Sequence, residues 1–298
     1  MQWILAGCSL GEYFSLIIKR AFETRRIKAT AMSSSSLTLQ RRLARILARG
    51  GIAKTCADRE AAIILRHSAR NDAERLATLR AETRMPLQYV LGEWDFHRLI
   101  GIMCRPPCLC PRPETEELVE LVIEKTEQAF DGSQPERLLD IGTGTGAIAI
   151  SLLKHWPETK CVAIDPNPDA CELALDNAAK FGVDARLDIR NCDAADFFAA
   201  PDSCGGISLI VSNPPYLKSC EMLDLDPELL HEDPRALDGG TDGADIVRTI
   251  LDGVQASKRR CPVYMEVHPD HPQLLADEGR PPVSVHRDMS NTPRFVVY

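Results

Sequence analysis

Several features that define large protein classes are missing from this 298-residue chain. No apolar run approaches the roughly 18 residues that a transmembrane helix needs, so we expect a soluble protein with no membrane partner. The 11 cysteines are odd in number and scattered, which argues for reduced thiols and against a disulfide framework. No internal repeats are apparent. The length allows one large or two modest domains, and a hydrophobic content of 44% is ample for a packed core.

The spacing of common metal sites is missing as well. Cys104, Cys108 and Cys110 lack the paired C-x₂-C pattern of zinc sites and have prolines between them, so no metal site is predicted. His268 and His271 lie three residues apart in a Pro-rich segment. No acid or thiol partner for them is evident nearby in the sequence, and we interpret them as surface histidines.

Charge is unevenly divided along the chain. Residues 1–110 carry 18 Lys and Arg against 9 Asp and Glu, whereas the remainder carries 17 against 34. The basic part favours docking of a polar macromolecule, although Arg-rich helical faces that are merely solvated explain it equally well. Residues 1–36 are basic, poor in acids and end in a serine run, a composition typical of a mitochondrial transit segment; Met32 is an alternative internal start.

The most informative stretch is Asn213-Pro214-Pro215-Tyr216, directly behind the apolar run 207–212. Two consecutive prolines restrict the backbone, so the Asn213 side chain and the neighbouring carbonyls are expected to be held rigidly. A carboxamide oxygen and a backbone carbonyl can together accept both N–H bonds of a planar –NH₂ group, and Tyr216 offers a flat ring beside it. Taken alone, the motif favours a Pro-Pro turn that ends a strand.

A second motif supports a ligand site. The predicted strand 138–141, apolar apart from Asp140, leads into a turn with alternate glycines, and helical spacing of apolar residues starts near Ala147. Glycines allow the backbone to approach a ligand, and the helix N-terminus adds free N–H groups. The spacing G-x-G-x-G differs from the G-x-G-x-x-G of the dinucleotide fingerprint, which lowers the case for NAD or FAD. The predicted cofactor-binding residues here are Asp140, Gly142, Thr143, Gly144, Thr145 and Gly146.

Acidic residues follow the next two predicted strands. Asp165 ends the strand 160–165 and is placed to accept hydrogen bonds from ribose hydroxyls. Asp193 follows a possible third strand, 185–190, and could accept from an adenine amine or be a solvated loop residue. Asp165, Asp193 and Asn213 complete the predicted cofactor-binding set, because open α/β sheets bind ligands at the carboxyl ends of their strands.

Taken in order along the chain, the motifs resemble those of class I S-adenosylmethionine methyltransferases, and more narrowly of the HemK/PrmC family of protein N5-glutamine methyltransferases. The resemblance runs from Leu37 to Tyr298. Its ending, 265–272 and 294–298, looks closest to the mitochondrial branch. Besides the two motifs, the segments that carry it are Arg84, Pro86–Tyr89, Gly92 and Phe96, then Pro111–Glu116, Glu232–Gly243, Arg287–Asp288 and Pro293–Phe295.

This resemblance implies an α/β fold of class I methyltransferase type: a Rossmann-like, seven-stranded sheet with an antiparallel edge hairpin, preceded by a small helical domain. We predict a transit segment or disordered extension over 1–36 and a helical substrate-recognition domain over 37–97. An interdomain hairpin and linking helix are expected over 98–134, and the catalytic domain over 135–298. Within the helical part, Gly50-Gly51 is expected to end a first helix and 55–58 to cap the next. A small helix is expected in the short connection 267–283.

The implied reaction is methyl transfer from S-adenosylmethionine to the glutamine side-chain nitrogen in the Gly-Gly-Gln loop of a peptide chain release factor. Catalysis and substrate binding are predicted for Asn213, Pro214, Pro215 and Tyr216. By resemblance only, Arg112 and Glu114 contribute to substrate binding, and Thr115 could complete the pocket. We expect a monomer without a direct nucleic acid partner, in the mitochondrion or alternatively the cytoplasm.

Two alternatives remain open. An adenine N6-methyltransferase acting on DNA or RNA would present the same planar amine to Asn213, although the acidic catalytic part and the lack of an obvious target-recognition domain weigh against it. A catalytically silent partner protein that retains the fold is the other. The intact glycine loop, Asp165 and the Asn213–Tyr216 motif weigh against that reading.

Overall fold

The computed structural model describes residues 34–129, 133–258 and 260–298. The predicted transit segment lies almost entirely outside these residues. Helix α1 begins at Ser34, within the last residues assigned to that segment. In the described ranges, no helix has the length and apolar character that crossing a membrane requires.

From residue 34 onward, the N-terminal part contains four helices: α1 (Ser34–Arg49), α2 (Lys54–His67), α3 (Arg70–Thr83) and α4 (Leu87–Leu91). Leu43 and Leu47, one turn apart on α1, are fully buried against α2 and α3, as helical periodicity requires. Gly51 follows α1 with a φ of 82°, which confirms that the glycine pair ends this helix. The predicted cap of α2 was wrong, because α2 already begins at Lys54 after Ala53, without a side-chain cap.

An antiparallel hairpin, β1 (Glu93–Phe96) and β2 (Leu99–Met103), leads to the long helix α5 (Pro113–Ala129). The helical part therefore ends at Leu91, and the hairpin begins five residues before the predicted boundary at 98. Gly92 allows this early turn, since it caps α4 in the left-handed region with a φ of 77°.

The remaining chain builds the seven-stranded sheet that was predicted, which confirms the fold class. Its spatial order is β5-β4-β3-β6-β7-β9-β8, parallel from β5 to β7 and antiparallel at the last two strands. The strands are β3 (Arg137–Ile141), β4 (Lys160–Asp165), β5 (Leu187–Asn191), β6 (Leu209–Ser212), β7 (Val263–Glu266), β8 (Ser284–Arg287) and β9 (Pro293–Val297).

Helices α6 (Ala147–His155), α7 (Pro168–Phe181), α8 (Ala194–Ala199), α9 (Asp245–Ser257) and α10 (His271–Asp277) follow the strands. One apolar core lies under α5, α6 and the hairpin, and a second lies under α8, α9 and α10, so apolar side chains cover both sheet faces. Local signals set the helix ends. Asn167 caps α7 through Asp169 N (2.9 Å), and Gly182 ends it in the left-handed region.

Helix α10 occupies the short connection 267–283 with seven residues, as expected. The surface assignment was wrong for His271, which begins this helix and is fully buried. Its Nε2 lies 3.2 Å from the Asp242 carbonyl oxygen. Burial, despite that backbone bond, lowers the pKa of His271 to about 4, so the ring is neutral and belongs to the core.

Candidate active site

A deep cleft opens at the carboxyl ends of the parallel strands. Its space, including the open mouth, is about 1090 Å³. Strands β3 and β6 are neighbours in register, and the Ser212 hydroxyl donates to the Ile141 carbonyl (2.7 Å) at their ends. The glycine loop and Asn213 therefore face one cleft.

The loop after β3 is shaped by backbone hydrogen bonds. The N–H groups of Gly142 and Thr143 both donate to the Ile164 carbonyl (2.9 and 3.0 Å), and Gly146 N donates to Thr143 O (2.8 Å). Gly142 and Gly144 have φ values of 73° and 54°. A Cβ on Gly144 would meet no protein atom within 4 Å, so the loop leaves space for a ligand to approach its backbone.

Asp165 connects this loop to the next strand. One carboxylate oxygen accepts from Gly144 N and the other from Asn167 N, both at 2.9 Å. Asp165 lines the cleft, and each carboxylate oxygen has a further lone pair. The side chain can therefore still accept hydrogen bonds from ribose hydroxyls. Burial raises the pKa of Asp165, an effect that the two backbone N–H groups oppose.

The Asn213 amide is fixed beside this loop, at the end of the neighbouring strand β6. Its Nδ2 donates to Thr115 Oγ1 (2.9 Å), and the Thr115 hydroxyl donates to Glu266 Oε2 (2.8 Å). Among the described residues no donor reaches Asn213 Oδ1 or the Pro214 carbonyl, and Oδ1 is not closed off from solvent. The Asn213 amide oxygen on the cleft wall is thus available to a ligand, and the carbonyl of the adjacent Pro214 has no donor of its own in the described part of the chain.

Glu266 lies at the carboxyl end of β7, fully buried beneath the Asn213 motif. It accepts from the Tyr216 hydroxyl (3.1 Å) as well as from Thr115. Burial, with a smaller effect of the nearby Glu114 charge, raises the pKa of Glu266 to about 7. Burial also raises the pKa of Tyr216, so its phenol stays protonated.

Not every predicted site residue reaches the cleft. Asp140 is fully buried under the loop, where it accepts from the Thr143 hydroxyl (2.7 Å), and burial raises its pKa to about 7. Asp193 lines the cleft, yet one of its oxygens caps α8 through Asp196 N (2.8 Å). The predicted residues on the cleft wall are Arg112, Gly142, Thr143, Gly144, Thr145, Asp165, Asp193, Asn213, Pro214 and Pro215; those absent from it are Glu114, Asp140, Gly146 and Tyr216.

Sequence reasoning missed residues that act through others. Glu232, whose side chain is fully buried, holds the Arg112 guanidinium at 2.6 Å and accepts from Cys110 N (3.1 Å). Glu266 had a visible signal: it is an acid that ends an otherwise apolar strand, as Asp165 does.

The three clustered cysteines are buried, and burial raises the pKa of both Cys104 and Cys108 to about 12. Among the described residues no His, Cys, Asp and Glu group has a metal-binding arrangement.

Comparison with known proteins decides the family. The chain is 39% identical over 226 residues to the human "MTRF1L release factor glutamine methyltransferase", covering 72% of this chain and 67% of that protein. A release factor glutamine methyltransferase of Deinococcus radiodurans is 34% identical, covering 73% and 75%. One of Thermosynechococcus vestitus is 38% identical, with the same coverage.

The chain belongs to the release factor glutamine methyltransferase family. Residues 126–208, which include the glycine loop, also match the family model described as a precorrin methyltransferase domain. A solved structure, the hMettl16 catalytic domain in complex with an RNA hairpin, has a TM-score of 0.52 and 16% identity, covering 74% of this chain and 80% of that one. At this identity the likeness concerns the fold alone, and it is the class I methyltransferase fold.

S-adenosylmethionine is the methyl donor of class I methyltransferases, including this family. The cleft of this chain fits such a molecule. The space beside Gly142 and Gly144 that a side chain would fill admits a ligand close to the backbone, and Asp165 supplies acceptors at the next strand end.

Proposed function

We propose that this protein transfers a methyl group from S-adenosylmethionine to the side-chain nitrogen of the glutamine in the Gly-Gly-Gln loop of a peptide chain release factor. The observation that carries the proposal is the fixed Asn213 amide, with Nδ2 bound to Thr115 and Oδ1 open, in the same cleft as the glycine loop. The names of the relatives support the same acceptor.

The acceptor chemistry fits this arrangement. An amide nitrogen is a poor nucleophile, because its lone pair is delocalised into the carbonyl, so the enzyme must orient it. Asn213 Oδ1 and the Pro214 carbonyl each accept one N–H of the glutamine amide, which fixes the nitrogen and stabilises the positive charge that develops on it. No general base is required before transfer, since the proton can leave afterwards.

The donor would be held by the glycine loop and the acids after the next two strands. S-adenosylmethionine supplies an electrophilic methyl group when it is bound. We assign the backbone of residues 142–145 to close contact with it and the Asp165 carboxylate to its ribose. Asp193 retains one oxygen for the adenine amine, since its other oxygen caps α8. Asp140 supports the loop through Thr143 and acts from beneath it.

Arg112 is our candidate for contact with the release factor. Its guanidinium is held by the buried Glu232 and remains about a quarter exposed at the cleft wall. An anchored arginine can donate to backbone carbonyls of an incoming loop without losing its own partner. For the cellular location we retain the mitochondrion, with the cytoplasm as the alternative, because residues 1–36 have a basic composition that is poor in acids.

The proposal is tested by labelled methyl transfer. The chain is incubated with methyl-labelled donor and a release factor, in parallel with the same release factor in which the loop glutamine is changed to alanine, and with adenine-containing DNA and RNA. We expect label only in the unaltered release factor, at the glutamine nitrogen. Label in the nucleic acid would favour the adenine N6 activity, and no label in any acceptor would favour the catalytically silent protein.

Asn213→Ala is the matching change in the enzyme. We expect it to abolish transfer while donor binding, measured by calorimetry, stays within about twofold of the original, because residues 142–145, Asp165 and Asp193 carry the donor contacts that we assign. Near-normal transfer by Asn213→Ala would contradict the assigned role.

A further inference from the structure

Residues from three elements form one chain of hydrogen bonds beneath Asn213. Asn213 follows β6, Thr115 lies in the first turn of α5, and Glu266 ends β7. The bonds run from Asn213 Nδ2 to Thr115 Oγ1 (2.9 Å) and from Thr115 Oγ1 to Glu266 Oε2 (2.8 Å). Tyr216 donates separately to Glu266 Oε1 (3.1 Å), so both carboxylate oxygens are engaged.

The polarity of this chain determines how the Asn213 amide is turned. A threonine hydroxyl has one proton, and an ionised carboxylate can only accept. Because the Thr115 proton is given to Glu266, Thr115 must accept from its other neighbour, which therefore has to be the amide nitrogen of Asn213. The amide oxygen then faces the cleft.

We propose that Glu266 is a positioning residue: through Thr115 its carboxylate holds the Asn213 amide with Oδ1 toward the methyl acceptor. The identity of the acceptor as a glutamine amide rests on the proposed function, whereas the orientation of Asn213 does not. Protonated Glu266 would itself be a donor, and Thr115 could then turn its hydroxyl proton toward Asn213. The amide would lose its fixed orientation.

Burial brings the titration of Glu266 into the neutral pH range, and the groups around it modify this effect. Glu114 raises its pKa and Arg294 lowers it, while the buried Tyr216 and Thr115 hydroxyls stabilise the charged form. The Arg294 charge is shared, because Asp288 Oδ2 lies 3.2 Å from Arg294 Nε. Burial exceeds these effects and brings the pKa to about 7. We call the hydrogen bonds from Glu266 through Thr115 to Asn213 the relay. The relay is therefore intact above this pH and lost below it.

The first test observes Asn213 directly, without any methyl acceptor. The side-chain amide signals of the ¹⁵N-labelled full chain are recorded between pH 5.5 and 8.5, and the Asn213 pair is identified by its disappearance in Asn213→Asp. We expect this pair to shift with a midpoint near pH 7, and Glu266→Gln and Thr115→Val to abolish the shift. Thr115→Ser, which keeps the hydroxyl, should retain the shift.

An unchanged pH response of the Asn213 signal in Glu266→Gln would overturn the proposal. Should Glu266→Gln fail to fold, Thr115→Val provides the same test with the carboxyl left in place. Tyr216→Phe is the matched control, because it removes a donor to Glu266 but not the Thr115 bond. If Tyr216→Phe changed the pH response of the Asn213 signal as much as Thr115→Val does, loss of any bond to the carboxyl would be enough to cause the change. This result would also contradict the relay.

The second test uses catalysis. In labelled transfer to the release factor, we expect kcat to rise between pH 6 and pH 8 in the unaltered chain, and Thr115→Val to lower it by about 10- to 100-fold through misplacement of the acceptor. Combining Glu266→Gln with Thr115→Val should lower kcat no further than Thr115→Val alone, since both changes act on the same relay. Losses that multiply would contradict it. If the unaltered chain modified no release factor at any pH, the proposed function would fail while the amide titration still decided the relay.

Discussion

Gly144 is the residue at which backbone conformation and ligand space coincide. Its φ of 54° lies in the left-handed region, and a Cβ there would point into open space in the cleft. Gly146 differs, although its φ of 80° is similar. A Cβ on Gly146 would lie 3.0 Å from Ile150 Cδ1 and 3.2 Å from Ala174 Cβ, both inside the protein. Alternate glycines in one motif therefore serve different purposes.

We predict that Gly144→Ala weakens donor binding by at least about tenfold, or 1.4 kcal/mol, because its methyl group occupies ligand space. The positive φ alone should cost about 1 kcal/mol of stability. Gly182→Ala is the matched control, since Gly182 has a φ of 67° with no atom near its Cβ position and lies at the end of α7. Calorimetry and thermal unfolding measure the two effects.

Gly146→Ala should behave in the opposite way. Crowding of Ile150 and Ala174 adds about 1 to 3 kcal/mol of destabilisation. Donor affinity of the folded fraction should change less than in Gly144→Ala. Equal losses of affinity in Gly144→Ala and Gly146→Ala would show that loop strain, rather than occupied space, governs binding.

At the scale of elements, local signals predicted most of the architecture. The alternation of apolar strands with helical patterns indicated an α/β arrangement, the family resemblance implied the seven-stranded sheet, and Gly50-Gly51 marked the end of α1. The errors fell where a local signal competed with packing. Thr55 looked like a cap, but α2 extends to Lys54 without one. His271 looked solvated in its Pro-rich segment, but the protein around α10 encloses it.

The helical part is joined to the catalytic part by a buried ion cluster that was not predicted from the sequence. Arg80 on α3 binds both oxygens of Glu60 on α2 (3.0 Å each), and its Nη1 lies 2.9 Å from Glu228 Oε1 in the segment after the Asn213 motif. Arg84 binds the same Glu228 oxygen (2.7 Å). Arg80 and Glu60 are almost fully buried, so their charges depend on each other.

We predict that Arg80→Met destabilises the protein by about 3 kcal/mol, because Glu60 is left buried without its partner. The double change Arg80→Met with Glu60→Leu should recover most of this loss, since no unpaired buried charge remains. Arg84→Met, at a more exposed position, should cost about 1 kcal/mol or less. Chemical denaturation measures all three, and a double variant less stable than Arg80→Met alone would contradict this account.

For the whole molecule, buried carboxyls make stability depend on pH. The pKa values of Asp140 and Glu266 are raised to about 7 by burial, from usual values near 3.8 and 4.5. A carboxyl with a raised pKa in the folded state contributes stability below its unfolded pKa and loses that contribution as pH rises through its folded pKa. Both groups therefore reduce stability as pH rises from about 4 to 7.

We predict that Glu266→Gln flattens this dependence. Between pH 5 and pH 7 the unaltered chain should lose up to about 1.4 kcal/mol per pH unit relative to Glu266→Gln, because the glutamine has no proton to release. Glu158→Gln, at an exposed turn position, is the control and should leave the pH dependence unchanged. Urea unfolding across this range gives the slopes; parallel slopes in the unaltered chain and Glu266→Gln would contradict the assignment.

The sequence by itself determined the order of strands and helices, the left-handed glycine turns and the placement of Asp165 and Asn213 at strand ends. These follow from residue spacing and backbone restriction, which are local. Only the tertiary structure decided that Thr115, Asn213 and Glu266 form one hydrogen-bonded chain, that Arg80 is buried between Glu60 and Glu228, and that Glu114 and Tyr216 lie off the cleft wall. Hydrogen bonds and burial among residues 20 to more than 150 positions apart depend on which elements pack together, and no local pattern encodes that.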